Sequence, residues 1–524
     1  MTDYSPVGIE ARADFARTTL TRLRQAVPEN DSERVASEMM QERLEAEVAQ
    51  HDAGERLRDL RILGSPVQSI RSVFDLMPGA SEEDWVVIAE RLEKVPAALD
   101  GLVTTLRHAM SVGITAARRQ ALECAKQAET WSQGSGSGLP FFEGYVAGAP
   151  AGIDDRLRTR LARAAVAASA SYGEVGRYLR EEYAPGANER DGCGPERYEL
   201  AAQSWLGSSI DATETYLWGW DELRRIESEM AKEADRILSG ASIGEAIAWL
   251  EADPDRAIEG EDNLRQWIQD LMDRTISELN GRHFDIPGPV QTVEAMIAPP
   301  GGAAAMYYTG PSEDFTRPGR TWYPTMGKTR FPLWGEVSIA YHEGVPGHHL
   351  QIGQVRYLAS QLSRYQRMVS VGGHAEGWAL YAERLMDELG YLDNPDYRLG
   401  QLRAQAMRAV RVIVDIGLHL DLPIPAGGDF HAGTPWTSDL AHQFALEHSY
   451  FPADFMSSEI VRYLGWPAQA ICYKVGEREW LEGRAEVKSR LGADFDLKAF
   501  HARALDLGPM GLSQLRRELR RLGS

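Results

Sequence analysis

The sequence predicts a mainly α-helical protein, one large helical body with a small β-sheet beside a deep cleft. Three observations carry that prediction. Apolar residues recur at three and four positions along most of the chain, the period of an amphipathic helix. Prolines and β-favouring residues crowd into residues 284–330, and eight of the twelve histidines fall between His342 and His448. The histidine-rich span is where the chain has concentrated its polar chemistry.

With 524 residues, core size is not limiting. A formal charge of −21 argues against a nucleic-acid-binding surface and against attraction to anionic membranes. The first fifty residues read as charged amphipathic helix without an apolar leader, and no run reaches the ~18 apolar residues of a membrane span, so a cytoplasmic protein is expected. Cys124, Cys193 and Cys472 match neither a disulfide framework nor a zinc knuckle and read as reduced thiols. Residues 1–283 form an N-terminal helical region and residues 284–524 the region of chemistry, expected to make one continuous body.

Residues 9–131 are helical in pattern, as in Phe15, Leu20 and Leu23 and again in Val86, Ile88 and Leu92. Pro78 and Gly79 break one helix; Ser81 with Glu82, Glu83 and Asp84 starts the next, acids at the positive end. Residues 133–150 hold a Gly/Ser run followed by Leu139-Pro140-Phe141-Phe142 and are expected to form a loop within the body. Residues 154–183 are again helical, and 185–196 form an irregular Gly/Pro turn. The stripe Trp218, Trp220, Leu223, Ile226 and Met230 reads as core packing on a strong helix. Helical pattern continues over 243–250 and 263–279. Pro287, Pro289, Pro299, Pro300, Pro311, Pro318 and Pro324 then punctuate the β-favouring stretches 290–297, 306–309 and 320–323, which supply the small sheet.

Directly after the sheet stands Tyr341-His342-Glu343-Gly344-Val345-Pro346-Gly347-His348-His349-Leu350-Gln351. A His-Glu pair on a helix suggests the zincin arrangement, in which histidines one turn apart hold a metal and the Glu acts as general base. Here Pro346 occupies the place of the second ligand. On an ideal helix His342 and His348 lie roughly 9 Å apart along the axis and about 120° out of phase, too far for one ion. Pro346 and Gly347 therefore predict a helix that bulges or kinks between the histidines. His349, nearly in phase but roughly 10.5 Å along the axis, is the alternative ligand. A third ligand should be a carboxylate from elsewhere, and Glu376 is its best source, with Glu383 behind as a partner to a ligand.

Arg408, Arg411, Asp415 and His419 share one face of an otherwise apolar helix. They form a buried ion-pair network or line the site, with His419 the member expected to reach substrate or the metal's surroundings. Amide hydrolysis needs a donor for the developing oxyanion. Tyr473, Arg462 and Tyr463 are available, and Tyr323, Arg317, Arg408 and Tyr463 are the expected substrate contacts.

The strings HEGVPGHHLQ (342–351), EGWALYAE (376–383), the 408–419 helix and RYLGWPAQAICYKVG (462–476), in that order, resemble the bacterial family called domain of unknown function 885, regarded as zinc-metallopeptidase-like. The likeness runs through nearly the whole chain, more loosely at 74–79 and 192–198. The family is in turn distantly similar to helical zinc carboxypeptidases and oligopeptidases with a His-Glu-x-Gly-His core and a later Glu ligand. Matching Gly347-His348 to that core leaves a two-residue insertion containing Pro346. The resemblance implies His342, His348 and Glu376 as ligands of one Zn2+, with manganese, iron or cobalt also compatible, and Glu343 as base. Phe315-Thr316-Arg317-Pro318-Gly319-Arg320 departs from the Asp-Gly-Ser that many relatives carry before Arg-Pro-Gly, a difference bearing on substrate choice. The implied activity is hydrolysis of an amide or peptide bond in a small peptide or acyl-amino acid by metal-activated water. A metal-dependent tailoring enzyme acting on a non-peptide C–N bond, and a non-catalytic helical binding protein, are the alternatives.

Overall fold

Local capping and apolar periodicity fold as they read. The helix Glu82–Leu92 begins at Ser81, whose Oγ accepts from the Asp84 amide at 3.2 Å while Asp84 accepts from the Ser81 amide at 2.9 Å. The structure, a computed structural model, describes residues 1–134, 138–298 and 305–522 and is mainly α, 68 % helical with a small sheet. Within 133–150, expected as loop, residues Phe141–Ala147 form a helix. Seven residues are too few to display a period or to hold a helix alone. Burial of Phe142 against Phe74 and Tyr172, with ring centroids 5.5 and 5.6 Å away, fixes it. Residues 135–137 of the Gly/Ser run lie outside the described residues, as do Pro299 and Pro300.

The buried apolar side chains gather into a larger core between Val35 and Leu519 and a smaller one between Leu60 and Ala184. Leu223, Ile226 and Met230 enter the larger core, while Trp218 and Trp220 pack on its margin. The helix Pro395–Leu420 is buried almost all round, which forces its charged residues to find partners inside the protein. The helices Gly372–Glu388 and Cys472–Leu491 approach unusually closely. A Cβ on Gly377 would lie 2.4 Å from Gly476 Cα, so only paired glycines allow this contact.

Among the described residues there are five short strands: β1 (Ala257–Glu259), β2 (Val293–Ile297), β3 (Tyr307–Thr309), β4 (Gly319–Tyr323) and β5 (Arg330–Pro332). β4 is central, parallel to β2 (Val293 opposite Gly319) and antiparallel to β3 (Tyr307 opposite Trp322). This is the expected sheet. β1 and β5 form a separate antiparallel pair, Ile258 opposite Phe331, that the sequence pattern did not suggest because three residues are too few to alternate.

Candidate metal centre

The segment 341–351 is broken, not bent. The helix Glu336–Glu343 ends at Gly344, the Val345–Pro346 peptide is cis, and a new helix, His348–Tyr357, starts after Gly347. The Gly347 amide donates to the Tyr341 carbonyl at 3.0 Å and the His349 amide to the Gly344 carbonyl at 3.1 Å. A Cβ on Gly347 would sit 1.9 Å from the His342 carbonyl oxygen, so no other residue fits this crossing. The break brings the His342 and His348 rings to 4.8 Å between centroids, where a straight helix would hold them roughly 9 Å apart.

Glu376, in the first turn and a half of Gly372–Glu388, completes the group. Its Oε2 lies 3.5 Å from Nε2 of His342 and 3.5 Å from Nε2 of His348. Among the described residues these three side chains form the one group of such residues whose ligand atoms all lie within 4.8 Å of one another. His342 is oriented from behind: Nδ1 and Glu383 Oε1 are 2.7 Å apart, and Ser338 Oγ donates to Glu383 Oε2 at 2.7 Å. Arg408 Nη2 stands 3.2 Å from Glu383 Oε1. With Nδ1–H directed at Glu383, a neutral His342 would present its Nε2 lone pair to the gap shared with His348 and Glu376, a form that a cation in the gap would favour.

Two observations test this gap against a cation. Glu376 Oε2, which faces both histidines, is buried without a hydrogen-bond partner among the described residues, where most such atoms are satisfied. Burial disfavours a charged His342 ring, but Glu376 and Glu383 outweigh it and raise its pKa to about 9, while the two histidines hold Glu376 well below the carboxylate range. Two imidazole nitrogens and a carboxylate in an electron-rich pocket fit a divalent transition metal. The side chains of His348 and Glu376 remain 12 and 24 % exposed, so the group opens to solvent on their side.

Glu343, next to His342 at the helix end, is buried, and its carboxylate makes no hydrogen bond or ion pair among the described residues. Tyr323 lies beside it, its phenol pKa raised by burial and then by the Glu343 charge. Tyr473 is partly buried; burial and then the Glu376 charge raise its phenol pKa, and its hydroxyl makes no hydrogen bond among the described residues. Arg408 keeps Nε and Nη1 buried without partners. These four join the group.

Others do not. His349 turns away: Nδ1 meets the Tyr308 hydroxyl at 2.8 Å and Nε2 the Val290 carbonyl at 2.8 Å, and burial lowers its pKa to about 4. His419 spends both nitrogens on backbone, Nδ1 accepting from the Cys193 amide at 3.2 Å and Nε2 donating to the Tyr463 carbonyl at 3.0 Å, so it has nothing left to offer substrate. Arg462 is held by Glu459 and Gln469. Tyr463 donates to Glu459 and accepts from Arg411, so neither Arg462 nor Tyr463 is a free oxyanion donor. Arg317 is exposed and donates to the carbonyls of Gly310 and Pro318. The 408–419 stripe therefore divides: Arg408 faces Glu383 and His342, whereas Arg411 faces Glu459, Asp415 faces Tyr198 and the Ala468 amide, and His419 faces backbone. Ser338 went unnoticed in the sequence, although its place one turn before His342 put it on the same face.

A family model described as "Bacterial protein of unknown function (DUF885)" matches residues 1–519, so the chain belongs to that family. A candidate lipoprotein from Colwellia psychrerythraea shares the fold at TM-score 0.83 and 24 % identity, covering 99 % of this chain and 92 % of its own. A candidate lipoprotein of unknown function from Shewanella oneidensis follows at TM-score 0.73 and 18 % identity, covering 99 % and 93 %. A carboxypeptidase from Pyrococcus furiosus reaches a TM-score of 0.28 at 11 % identity over 87 % of this chain and 99 % of its own, too low to support an argument. No curated protein matches. Among the described residues no helix is long and apolar enough to cross a membrane.

Proposed function

We propose that this DUF885 protein is a metal-dependent hydrolase that cleaves an amide or peptide bond in a small peptide or acyl-amino acid. The observation that carries the reading is the convergence of His342 Nε2, His348 Nε2 and Glu376 Oε2 within 4.8 Å, with Glu376 Oε2 unsatisfied. The family description assigns no activity, so the reading rests on this site. The donor set suits zinc, with His342, His348 and Glu376 as the holding residues. A cation held there would supply Lewis acidity, acidifying water and polarising an amide carbonyl.

The chain's own residues divide the remaining work. Glu343 is a carboxylate without a protein partner beside His342; it takes a proton from the attacking water and returns it to the leaving amine. Tyr473, with a free hydroxyl near Glu376, donates to the carbonyl oxygen as charge develops. The Arg411 guanidinium, 4.5 Å from the Tyr473 ring centre, holds that ring in place. Arg408 offers its two unpartnered N–H groups to an acceptor on the substrate. Tyr323, on the sheet strand β4, is close enough to Glu343 for that carboxylate's charge to raise its phenol pKa. The acidic chain suits a small-molecule substrate and no nucleic acid.

The test pairs elemental analysis of the purified protein with turnover of dipeptides and N-acyl-amino acids. Glu343→Gln should retain metal and lose roughly 10²–10⁴ in turnover, and His342→Ala should lose both metal and turnover. Undiminished turnover in Glu343→Gln sinks the mechanism, and a metal-free, inert wild type sinks the whole reading.

A further inference from the structure

A cavity of about 290 Å³ lies where the two cores meet. Leu60 and Ala116 bring the smaller core to its wall, and Trp205 and Leu464 the larger. Junctions of this kind are favoured places for small-molecule sites. The wall carries five arginines (Arg56, Arg58, Arg61, Arg190, Arg197) against three carboxylates (Glu55, Asp59, Asp191) in a chain whose formal charge is −21. The local sign of charge is thus inverted.

Most of these charges are already spent. Arg197 grips Glu55 with two hydrogen bonds of 2.7 and 2.8 Å, Arg61 is paired with Asp59, and Arg190 with Asp421. Asp191 is held by Arg119 at 3.0 Å. Arg58 is left over. It reaches the Ala53 carbonyl at 3.4 Å and the already occupied Glu55 at 3.5 Å, and its Nε is buried without a hydrogen bond. A second wall residue, Gln120, is 2 % exposed; its amide nitrogen is used on the Val461 carbonyl at 2.8 Å, and its Oε1 is buried without a partner. Trp205 and Trp466 meet edge to face at 5.0 Å and give the cavity an apolar corner.

A guanidinium whose Nε lacks a hydrogen bond, on the wall of a partly open pocket, is better satisfied when an anion completes it, and the two tryptophans beside it suit an anion carried on an apolar body. We propose that this cavity binds a small organic oxyanion, a carboxylate or phosphate on an apolar body, with Arg58 as the principal contact. The site is separate from the metal centre but adjoins it: the Trp205 carbonyl lies 3.8 Å from Cys472 Sγ, and the Leu464–Pro467 stretch of its wall leads into the helix that carries Tyr473. The inference stands whether or not the metal centre is catalytic.

Titration calorimetry of the full chain with benzoate, phenyl phosphate and the neutral benzamide tests it. Saturable one-to-one binding of benzoate or phenyl phosphate is expected, with none of benzamide, and the tighter of the two anions identifies the head group. Arg58→Gln should weaken that binding roughly ten- to a hundredfold, Arg58→Lys less, and His342→Ala should not change it. Absence of saturable binding by both anions overturns the proposal. So does affinity that Arg58→Gln and Arg58→Lys both leave unchanged, or affinity that disappears in His342→Ala, which would assign the anion to the metal centre.

Discussion

Two clusters of buried charge lie side by side in this protein, and they differ in one respect. Around Glu459 every group is answered: Arg411 donates to Glu459 at 2.8 Å and to the Tyr463 hydroxyl at 3.0 Å, Tyr463 donates to Glu459 at 2.8 Å, and Arg462 closes the other side at 2.8 and 2.9 Å. Around Glu376 the partners stop short, at 3.5 Å, and Glu376 Oε2, His348 Nδ1, Arg408 Nε and Arg408 Nη1 are left over. A satisfied cluster locks helices together; an unsatisfied one retains binding capacity for something outside the chain. The adjacent His348 and His349 repeat the contrast at the scale of one residue.

The comparison breaks most severely at Glu459. Substituting Glu459→Gln leaves Arg411 and Arg462 buried with only neutral acceptors, Tyr463, Gln469 and the new amide, and should cost on the order of 3–5 kcal/mol in chemical denaturation of the metal-free protein. Metal content should be unchanged in the folded fraction. Stability equal to wild type, or loss of metal without loss of stability, would mean that the two clusters are not separate.

A smaller effect, confined to the other cluster, is expected from Glu383→Gln. It keeps the shape behind His342 but weakens the acceptor that fixes which nitrogen carries the proton. Affinity for zinc, read by competition with a chelator, should fall roughly 10–100-fold. Full affinity would show that His342 needs no orienting partner.

Much of this was legible in the sequence, for identifiable reasons. Helices declared themselves by period and by caps such as Ser81-Asp84, and the sheet by its proline-punctuated β-favouring stretches. The His342–His348 convergence followed from Pro346 and Gly347, because a straight helix cannot join those two rings. Fates set by contacts distant in sequence were not legible. Nothing near His349 announces the Val290 carbonyl, and nothing near His419 announces the Cys193 amide or the Tyr463 carbonyl. Arg411 and Arg408 share a helix face, yet three residues of offset turn one toward Glu459 and the other toward Glu383. The helix Phe141–Ala147 was hidden for the same reason, its stability residing in Phe74 and Tyr172 and not in its own seven residues.

The gentlest probe of the closed region is pH, applied at His419. Burial lowers its folded pKa to about 4 from an ordinary 6.5, and both of its nitrogens are matched to a neutral ring. Between those values the unfolded chain binds a proton that the folded ring refuses, so stability falls as pH drops from about 6.5 toward 4 and levels off below. The slope for this one group is about 1.4 kcal/mol per pH unit, and its full span is on the order of 3 kcal/mol. Asp415, on the same helix, works in the opposite sense: burial raises its pKa from 3.8 to about 7, so it loses stability as pH rises from about 4 to 7. The two slopes oppose each other over the same window. Replacing His419 with Gln removes one of them, and the variant, though less stable at neutral pH, should gain stability relative to wild type as the solution is acidified from 6.5 to 4.5. A pH dependence identical to that of wild type would mean that His419 accepts its proton in the folded protein, and that this side of the comparison is not closed.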